Sequence, residues 1–480
     1  MTMMSLAQVH AMLPGSVLLN IAPEAASALS LTRVGTDSRQ IDAGELFVAL
    51  SGECFDAHDF LEEVANKGAR AAVISNKEGC PVNLPAVYVS DTRVGLGNLA
   101  KAWRAIHKIP LALVTGSNGK TTVKEMIAAI FKAAVGESRT LVTKGNLNND
   151  IGLPLTLLKL RSSDQLAVVE LGMNHPSETA QLAVIAQANI ALINNAQREH
   201  QEFMATVAAV AEEHADAIRT LPQGGVAAFP ADSDFTSVWR KAADSRKVID
   251  FALLSSSSDV AASVTGRLLN NGSVEIVTDG GSIQVQLNTL GNHNVRNALA
   301  ATAVALAAEI SLEKIKQGLE SFVPVNGRMQ AKKIELNVAL IDDSYNANPD
   351  SVRAAIDALK QSGTPAWLVL GDMGEVSDQG PEFHREVGSY AAEQGVAKLF
   401  VIGDLCQFAL KGFQKIAKNN PAFEGLHFTD VDSLIAHLRM AMQTQLANSN
   451  SHLNILVKGS RFMRMERVVQ ALLEEAKTCS

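Results

Sequence analysis

The fold turns on residues 110–135, PLALVTGSNGKTTVKEMIAAIFKAAV, where an apolar run meets a glycine turn and then a helix-like stretch. Pro110 to Val114 reads as a buried strand. Val123, Met126, Ile127, Ile130, Phe131 and Ala134 recur at three- and four-residue spacings, which puts them on one face of a helix. Between strand and helix lies Thr115-Gly116-Ser117-Asn118-Gly119-Lys120-Thr121-Thr122. This is the setting of a phosphate loop. Glycines let backbone N–H groups curl round phosphate oxygens, and the helix N-terminus adds partial positive charge. Lys120 reaches the β- and γ-phosphates, and the Thr121 hydroxyl ligates Mg2+. The strict pattern asks for glycine where Val114 stands, so the loop is a variant. The plainer reading is a tight turn that happens to contain Gly-Lys-Thr.

Further on, LAVVELG and NIALINNA alternate with helical stretches such as 206–221, the order of a parallel sheet with crossover helices. Glu170 ends one of these strands, where such a sheet presents ligand groups, and is the natural Mg2+ carboxylate. Without the loop beside it, it is an ordinary surface glutamate. His200 follows the next strand toward the same sheet edge, and by itself it is a loop histidine.

Upstream, short strand-like runs (LFVAL, AAVIS, AVYVS) around the helix-like DFLEEVANKGA make a small α/β domain, joined to the loop region by a helix from Leu96 to Ile106. Downstream, Val274 and Ile276, then Ile283, Val285 and Leu287, alternate with polar neighbours on either side of Asp279-Gly280-Gly281, a β-hairpin. A helix from Asn294 to Ala308 follows, and 322–326, with Pro324, reads as a hinge. Past it, VALIDD, AWLVLGD, KLFVIGD and NILVKGS alternate with helices as in a doubly wound, Rossmann-like domain. The expected fold is therefore α/β in three domains: 1–94, a small domain; 95–323, a P-loop domain with a mostly parallel sheet and a β-hairpin region; and 324–480, a Rossmann-like domain.

Composition narrows the function. The 480 residues carry 42 Lys+Arg against 50 Asp+Glu, a net charge of −8, with 47% hydrophobic residues. That supports several cores and gives no long-range attraction for nucleic acid or anionic lipid, so an anionic ligand must be held by local donors. The longest largely apolar run, Ala298 to Ala308, is too short to span a bilayer, and the N-terminal stretch lacks a basic n-region. Cys54, Cys80, Cys406 and Cys479 are scattered without metal or disulfide spacing. Cytosolic residence, without nucleic-acid or membrane partners, is the simplest expectation.

TGSNGKTT, TKGNLNNDIGLPLTL, ELGMNHPSE, NNAQREH, LGNHNVRNALAA, NGRMQ, IDDSYNANPDS, VLGDMGE and KGSRFMRME follow one another from Thr115 to Glu466. With the upstream TDSRQIDAGELFVAL they resemble the Mur ligases over essentially the whole chain. DDSYNANP with LGDMGE is similar to the members that use a D-alanyl-D-alanine acceptor, and the DNPR motif of the sibling that adds the third amino acid is absent. TGxNGKTT alone also admits other siblings, folylpolyglutamate synthetases and, outside the ligases, a nucleotide-driven switch. The resemblance implies a UDP-sugar-binding first domain, a central ATPase and a closing third domain. It further implies ATP and Mg2+ as cofactors and UDP-N-acetylmuramoyl-tripeptide and D-alanyl-D-alanine as substrates. The amide would form through an acyl phosphate and a tetrahedral intermediate, during peptidoglycan precursor synthesis in a bacterial cytoplasm.

The same resemblance assigns residues. Lys120, Glu170 and His200 are the catalytic candidates, and Thr121, Glu170 and His200 the metal ligands. Gly116, Ser117, Asn118, Gly119, Lys120, Thr121 and Thr122 would hold the ATP phosphates. Asn292 and Asn297 match adenine-reading positions, although Asn292 equally suits a helix cap. Arg328 matches a phosphate position and Asp343 a ribose position, while Tyr345 can stack on the base. Ser38 and Arg39 match the uridine diphosphate segment, although an exposed arginine is ordinarily a solvated charge. Lys144, Asn146, Asn148 and Asn149, with Asn149 preferred, match a segment facing substrate and phosphates that also reads as a polar turn. Lys458, Ser460 and Arg461 follow the last buried strand, where cations can meet substrate carboxylates. One departure stands out. Many members carry a carbamoylated lysine where this chain has His214, and the surrounding helix contains no lysine. Either His214 or a nearby carboxylate (Glu212, Glu213, Asp216) supports a second metal, or that metal relies on Glu170 and His200, or His214 is a helix-surface residue.

Overall fold

A computed structural model describes residues 2–478 except 53–54, 200–201, 205, 256–259, 336, 364, 419 and 449–451. His200, Cys54 and Cys479 therefore lie outside the described residues.

The strand Leu111–Thr115 is buried at every position, as expected of a parallel strand covered on both faces. Leu111 and Leu113 pack into a core shared with the first lobe, whereas Ala112 and Val114 pack with Val123, Ile127 and Phe131 of the helix Lys120–Val135. Around it runs a six-stranded, all-parallel sheet in the order Lys247–Val248, Val226–Ala228, Ile190–Ile193, Leu111–Thr115, Leu166–Glu170, Thr140–Val142. From the middle strand the chain builds outward to Thr140–Val142, returns through Leu166–Glu170, then crosses to Ile190–Ile193 on the other side. The carboxyl ends of Leu111–Thr115 and its two neighbours thus meet at a topological switch point, the place where such sheets bind ligands.

The first lobe is a five-stranded sheet, Val17–Leu19, Ala86–Tyr88, Ala71–Ile74, Leu46–Val48, Val34–Gly35, parallel except for its first pair. Its connecting helix is Thr92–Ile106, starting earlier than Leu96 because Asp91 caps it by accepting from Arg93 N and Val94 N. This helix crosses the 94/95 position. Thr92 Oγ1 donates to Ala49 O in the first lobe at 2.7 Å, and Trp103 Nε1 donates to Leu160 O in the central lobe at 3.1 Å.

The expected hairpin is Val274–Thr278 with Gly281–Val285, and it belongs to a four-stranded sheet with Phe251–Leu253 and Val264–Leu268. The third lobe is a six-stranded sheet in the order Gln330–Glu335, Val338–Asp343, Leu453–Lys458, Ala366–Gly371, Lys398–Ile402, Glu424–Phe428. Only Gln330–Glu335 runs antiparallel. This edge strand and the opposite edge strand Glu424–Phe428 escape the sequence reading because each carries polar residues and lacks the apolar run of the inner strands. Among the described residues, no helix is long and apolar enough to cross a membrane.

Candidate active site

The phosphate loop is fixed from behind by asparagines. Gly116 and Gly119 have φ of +131° and +79°, a region costly for residues with a Cβ. A Cβ on Gly119 would also lie 2.7 Å from both Asn194 Nδ2 and Asn297 Oδ1. Asn194 Nδ2 donates to Asn118 O at 2.8 Å and to Asn297 Oδ1 at 2.9 Å. Asn195 Nδ2 donates to Asn118 O at 2.9 Å, and its Oδ1 accepts from Asn118 N at 2.8 Å. Asn297 also donates to Asn294 Oδ1 at 3.0 Å, so both ends of its amide are engaged. Asn297, which lines the cleft, thus also braces the loop from behind. Asn292 departs from expectation. It is exposed in the first helical turn, lies off the cleft, and the helix is capped at Gly291.

Lys120 begins the helix, its ammonium donating to Gly116 O and to Ser117 O at 3.1 Å, with Glu199 Oε2 at 3.4 Å. Ser117 Oγ donates to Gln197 O, and Thr122 lines the cleft. Glu170, 2% exposed, accepts at Oε1 from Thr121 Oγ1 (3.2 Å) and Asn148 Nδ2 (2.9 Å). Its Oε2 is buried without a hydrogen-bond partner, and Lys124 Nζ stands 4.0 Å away. A buried carboxylate oxygen left unpaired is costly, and a hard divalent cation with oxygen ligands removes that cost. Thr121 and Glu170 therefore fit a Mg2+ site. Lys124 is fully buried and held by Thr143 O and Glu125.

The opposite wall comes from the third lobe, across a cleft of about 890 Å³. Lys458 Nζ is 2.5 Å from Asp343 Oδ2 and donates to Asn346 O at 2.9 Å. Asp343 Oδ1 accepts from Met329 N at 3.1 Å. The Arg328 guanidinium lies 4.2 Å over the Tyr345 ring, which Arg461 approaches at 5.7 Å. Asp343, Tyr345 and Arg328 thus face the cleft already engaged with protein partners, and Lys458 belongs to the Asp343 pair.

Two polar bridges join the walls. Asn348 Nδ2 donates to Asn118 Oδ1 at 2.9 Å. Arg198 donates to Asp350 Oδ1 at 2.6 Å and Glu386 Oε2 at 2.7 Å, while Arg353 donates to Glu386 Oε1 at 2.7 Å. The hydrogen bond from Arg198 holds the Glu386 carboxyl below its ordinary range against the opposing effect of burial, and the Glu386 bond pushes the Arg198 guanidinium up.

The remaining candidates divide. Asn146, Asn148 and Asn149 line the cleft, Asn148 as the holder of Glu170 and Asn149 accepting from Gly152 N at 2.9 Å. Ser38, Arg39, Lys144 and Arg461 do not line it. Arg39, whose side chain is 83% exposed, pairs with Asp37, and Arg461 pairs with Glu466. Ser460 Oγ donates to Ala347 O. His214 is not a helix-surface residue: it is fully buried, with Nδ1 3.1 Å from Thr115 Oγ1 and Nε2 3.1 Å from Glu199 Oε1. The carboxylates expected beside it serve elsewhere. Glu213 accepts from Ser177 N and Thr179 N, and Glu212 and Asp216 pair with Arg219.

Sequence reading passed over Asn194, Asn195, Arg198, Glu199 and Lys124. The signal for the first four is their place in NNAQREH, directly after a buried strand. Asp372, His384 and Cys406 also cluster in the third lobe with metal-like spacing. Their atoms are already used: His384 bonds Met373 N and Gly380 O, Asp372 accepts from Leu405 N and Cys406 N, and Cys406 Sγ meets Leu370 O.

Known proteins share this architecture. Residues 30–104 match the Mur ligase family catalytic domain, 114–305 the Mur ligase middle domain and 327–461 the Mur ligase glutamate ligase domain. A Haemophilus influenzae protein named UDP-N-acetylmuramoyl-tripeptide–D-alanyl-D-alanine ligase is 36% identical over 450 residues, 94% of this chain and 95% of its own. The Escherichia coli protein of that name is 38% identical over 453 residues, 94% of this chain and 95% of its own. A crystal structure of MurF from Acinetobacter baumannii superposes with a TM-score of 0.87 at 32% identity, covering 98% of this chain and 99% of the other.

Proposed function

The chain belongs to the Mur ligase family, and we propose that it joins D-alanyl-D-alanine to UDP-N-acetylmuramoyl-tripeptide at the expense of ATP. The observation that carries this reading is likeness along nearly the whole length to proteins named for that reaction.

The cleft suits the chemistry. A carboxylate is a poor electrophile, and bringing it to the γ-phosphate sets two anions together. The loop amides and Lys120 gather the phosphates, and the Thr121–Glu170 pair would hold Mg2+ beside them. When bound, the cation supplies charge neutralisation at the transferring phosphoryl group. The tripeptide carboxylate oxygen bonds to the γ-phosphorus and ADP leaves. The dipeptide amine then attacks the acyl carbon, and the tetrahedral intermediate collapses by expelling phosphate. Water would destroy the acyl phosphate, and the Asn118–Asn348 and Arg198 bridges are suited to keep the third lobe down over it.

On this reading residues 1–94 seat the UDP-sugar, 95–323 carry ATP and metal, and 324–480 close the site, with the protein working as a monomer in a bacterial cytoplasm. His200 would be a further metal ligand. Incubation with ATP, Mg2+ and the UDP-linked tripeptide, plus either D-alanyl-D-alanine or single amino acids, tests the proposal by product mass. The dipeptide adduct is expected; an adduct with a single amino acid or glutamate would transfer the chain to a sibling activity.

A further inference from the structure

Glu199 is 7% exposed at the phosphate end of the cleft, with each carboxylate oxygen directed to a different partner. Oε1 meets His214 Nε2 at 3.1 Å and Oε2 meets Lys120 Nζ at 3.4 Å. His214 in turn is tied through Nδ1 to Thr115 Oγ1, the residue just before the loop. The chain Thr115, His214, Glu199, Lys120 therefore starts at one end of the phosphate loop and returns to the other. None of the three carboxylates on the helix Val207–Arg219 enters it.

The geometry points to Glu199 and His214 as a coupled pair of positioning residues for the phosphate-loop lysine: His214, anchored on Thr115, fixes the carboxylate, and the carboxylate fixes the Lys120 ammonium. This rests on the reading of Lys120 as the lysine that meets the transferring phosphoryl group. A lysine stem has many rotamers, and holding it still costs side-chain freedom. A buried anion close by confines the ammonium before ATP arrives, so that confinement is not charged to the transition state. The same anion repels the γ-phosphate in the ground state. Glu199 thus weakens nucleotide binding while speeding transfer, a division that damage to the fold does not produce.

The test is a double-mutant cycle with two readouts: calorimetric affinity for β,γ-imido-ATP with Mg2+, and kcat for ligation. Glu199→Gln should bind the analogue about threefold more tightly while kcat falls about tenfold or more. His214→Ala should move both readouts the same way by less, and His214→Gln, which keeps a hydrogen-bonding group there, should recover part of the loss. The double variant should go no further than Glu199→Gln, because His214 acts through Glu199. Weaker analogue binding by Glu199→Gln, or single effects that multiply in the double variant, would overturn the pair. Failure of the wild-type protein to ligate would overturn the assigned reaction instead, and the calorimetric cycle would still decide the pair.

Discussion

The two walls of the cleft are built on opposite principles. The central wall centres on one continuous stretch, Thr115 to Thr122, whose backbone is braced from behind at Asn118 by the Asn194 and Asn195 side chains, with Asn297 holding Asn194. The third-lobe wall is gathered from residues far apart in the chain, Arg328, Asp343, Tyr345 and Lys458, and these satisfy one another through the Lys458–Asp343 and Arg328–Tyr345 contacts. A ligand on the first wall meets a prepared cradle, whereas on the second it must exchange with existing partners. On the proposed reading, the loop wall would set whether phosphates bind and the third-lobe wall when the site is complete.

The sharpest way to break this contrast is on the loop. Lys120→Ala should lower phosphate release by about 10²- to 10³-fold with the fold retained, since it removes the cation at the transferring phosphoryl group. An unchanged rate would remove the loop from the chemistry. On the other wall the largest effect should fall on stability. Lys458→Met strands the Asp343 carboxylate, only 13% exposed, and should cost about 3 kcal/mol in thermal or urea unfolding. A loss confined to activity would mean that the pair belongs to substrate binding alone.

The bridges should matter less. Arg198→Ala should raise the apparent KM for ATP about fivefold, the equivalent of about 1 kcal/mol of closure, with kcat nearly intact. Closure should also follow pH in a defined direction. The Glu386 carboxyl is held low when paired with Arg198, so its contribution is fully present above the ordinary glutamate value of about 4.3 and is lost as pH falls through the lower, paired value. Scattering or distance measurements between lobes should be flat around neutrality and show opening only in acid. Asn292→Ala, off the cleft, should change the rate by less than about twofold. A loss like that expected for loop residues would return it to the nucleotide.

The same contrast explains what was legible in the sequence. The loop could be read because backbone conformation carries its function: glycines at positive φ, a lysine and a hydroxyl at the helix start all leave a linear trace. The alternation of strands and helices, and with it the α/β fold, was readable because the inner parallel strands carry apolar runs, with polar residues few and mostly near their ends, whereas the edge strands Gln330–Glu335 and Glu424–Phe428 lack such runs. Tertiary partners leave no such trace. Nothing local says that Asn297 bonds Asn194 and Asn294, that Lys458 closes on Asp343, or that Arg39 turns away to Asp37. The absence of lysine from the helix Val207–Arg219 was visible. That Glu199, and not Glu212, Glu213 or Asp216, would meet His214 required the fold.

On the proposed reading, the cleft activates a substrate carboxylate by moving the γ-phosphoryl group of ATP onto it. The most direct test of this step uses UDP-N-acetylmuramoyl-tripeptide labelled with ¹⁸O in the terminal carboxylate, with the released phosphate analysed by mass after ligation to D-alanyl-D-alanine. One labelled oxygen is expected in each phosphate, with phosphate and pentapeptide formed in equal amounts. Unlabelled phosphate, or phosphate released at the same rate without the dipeptide, would contradict this reading.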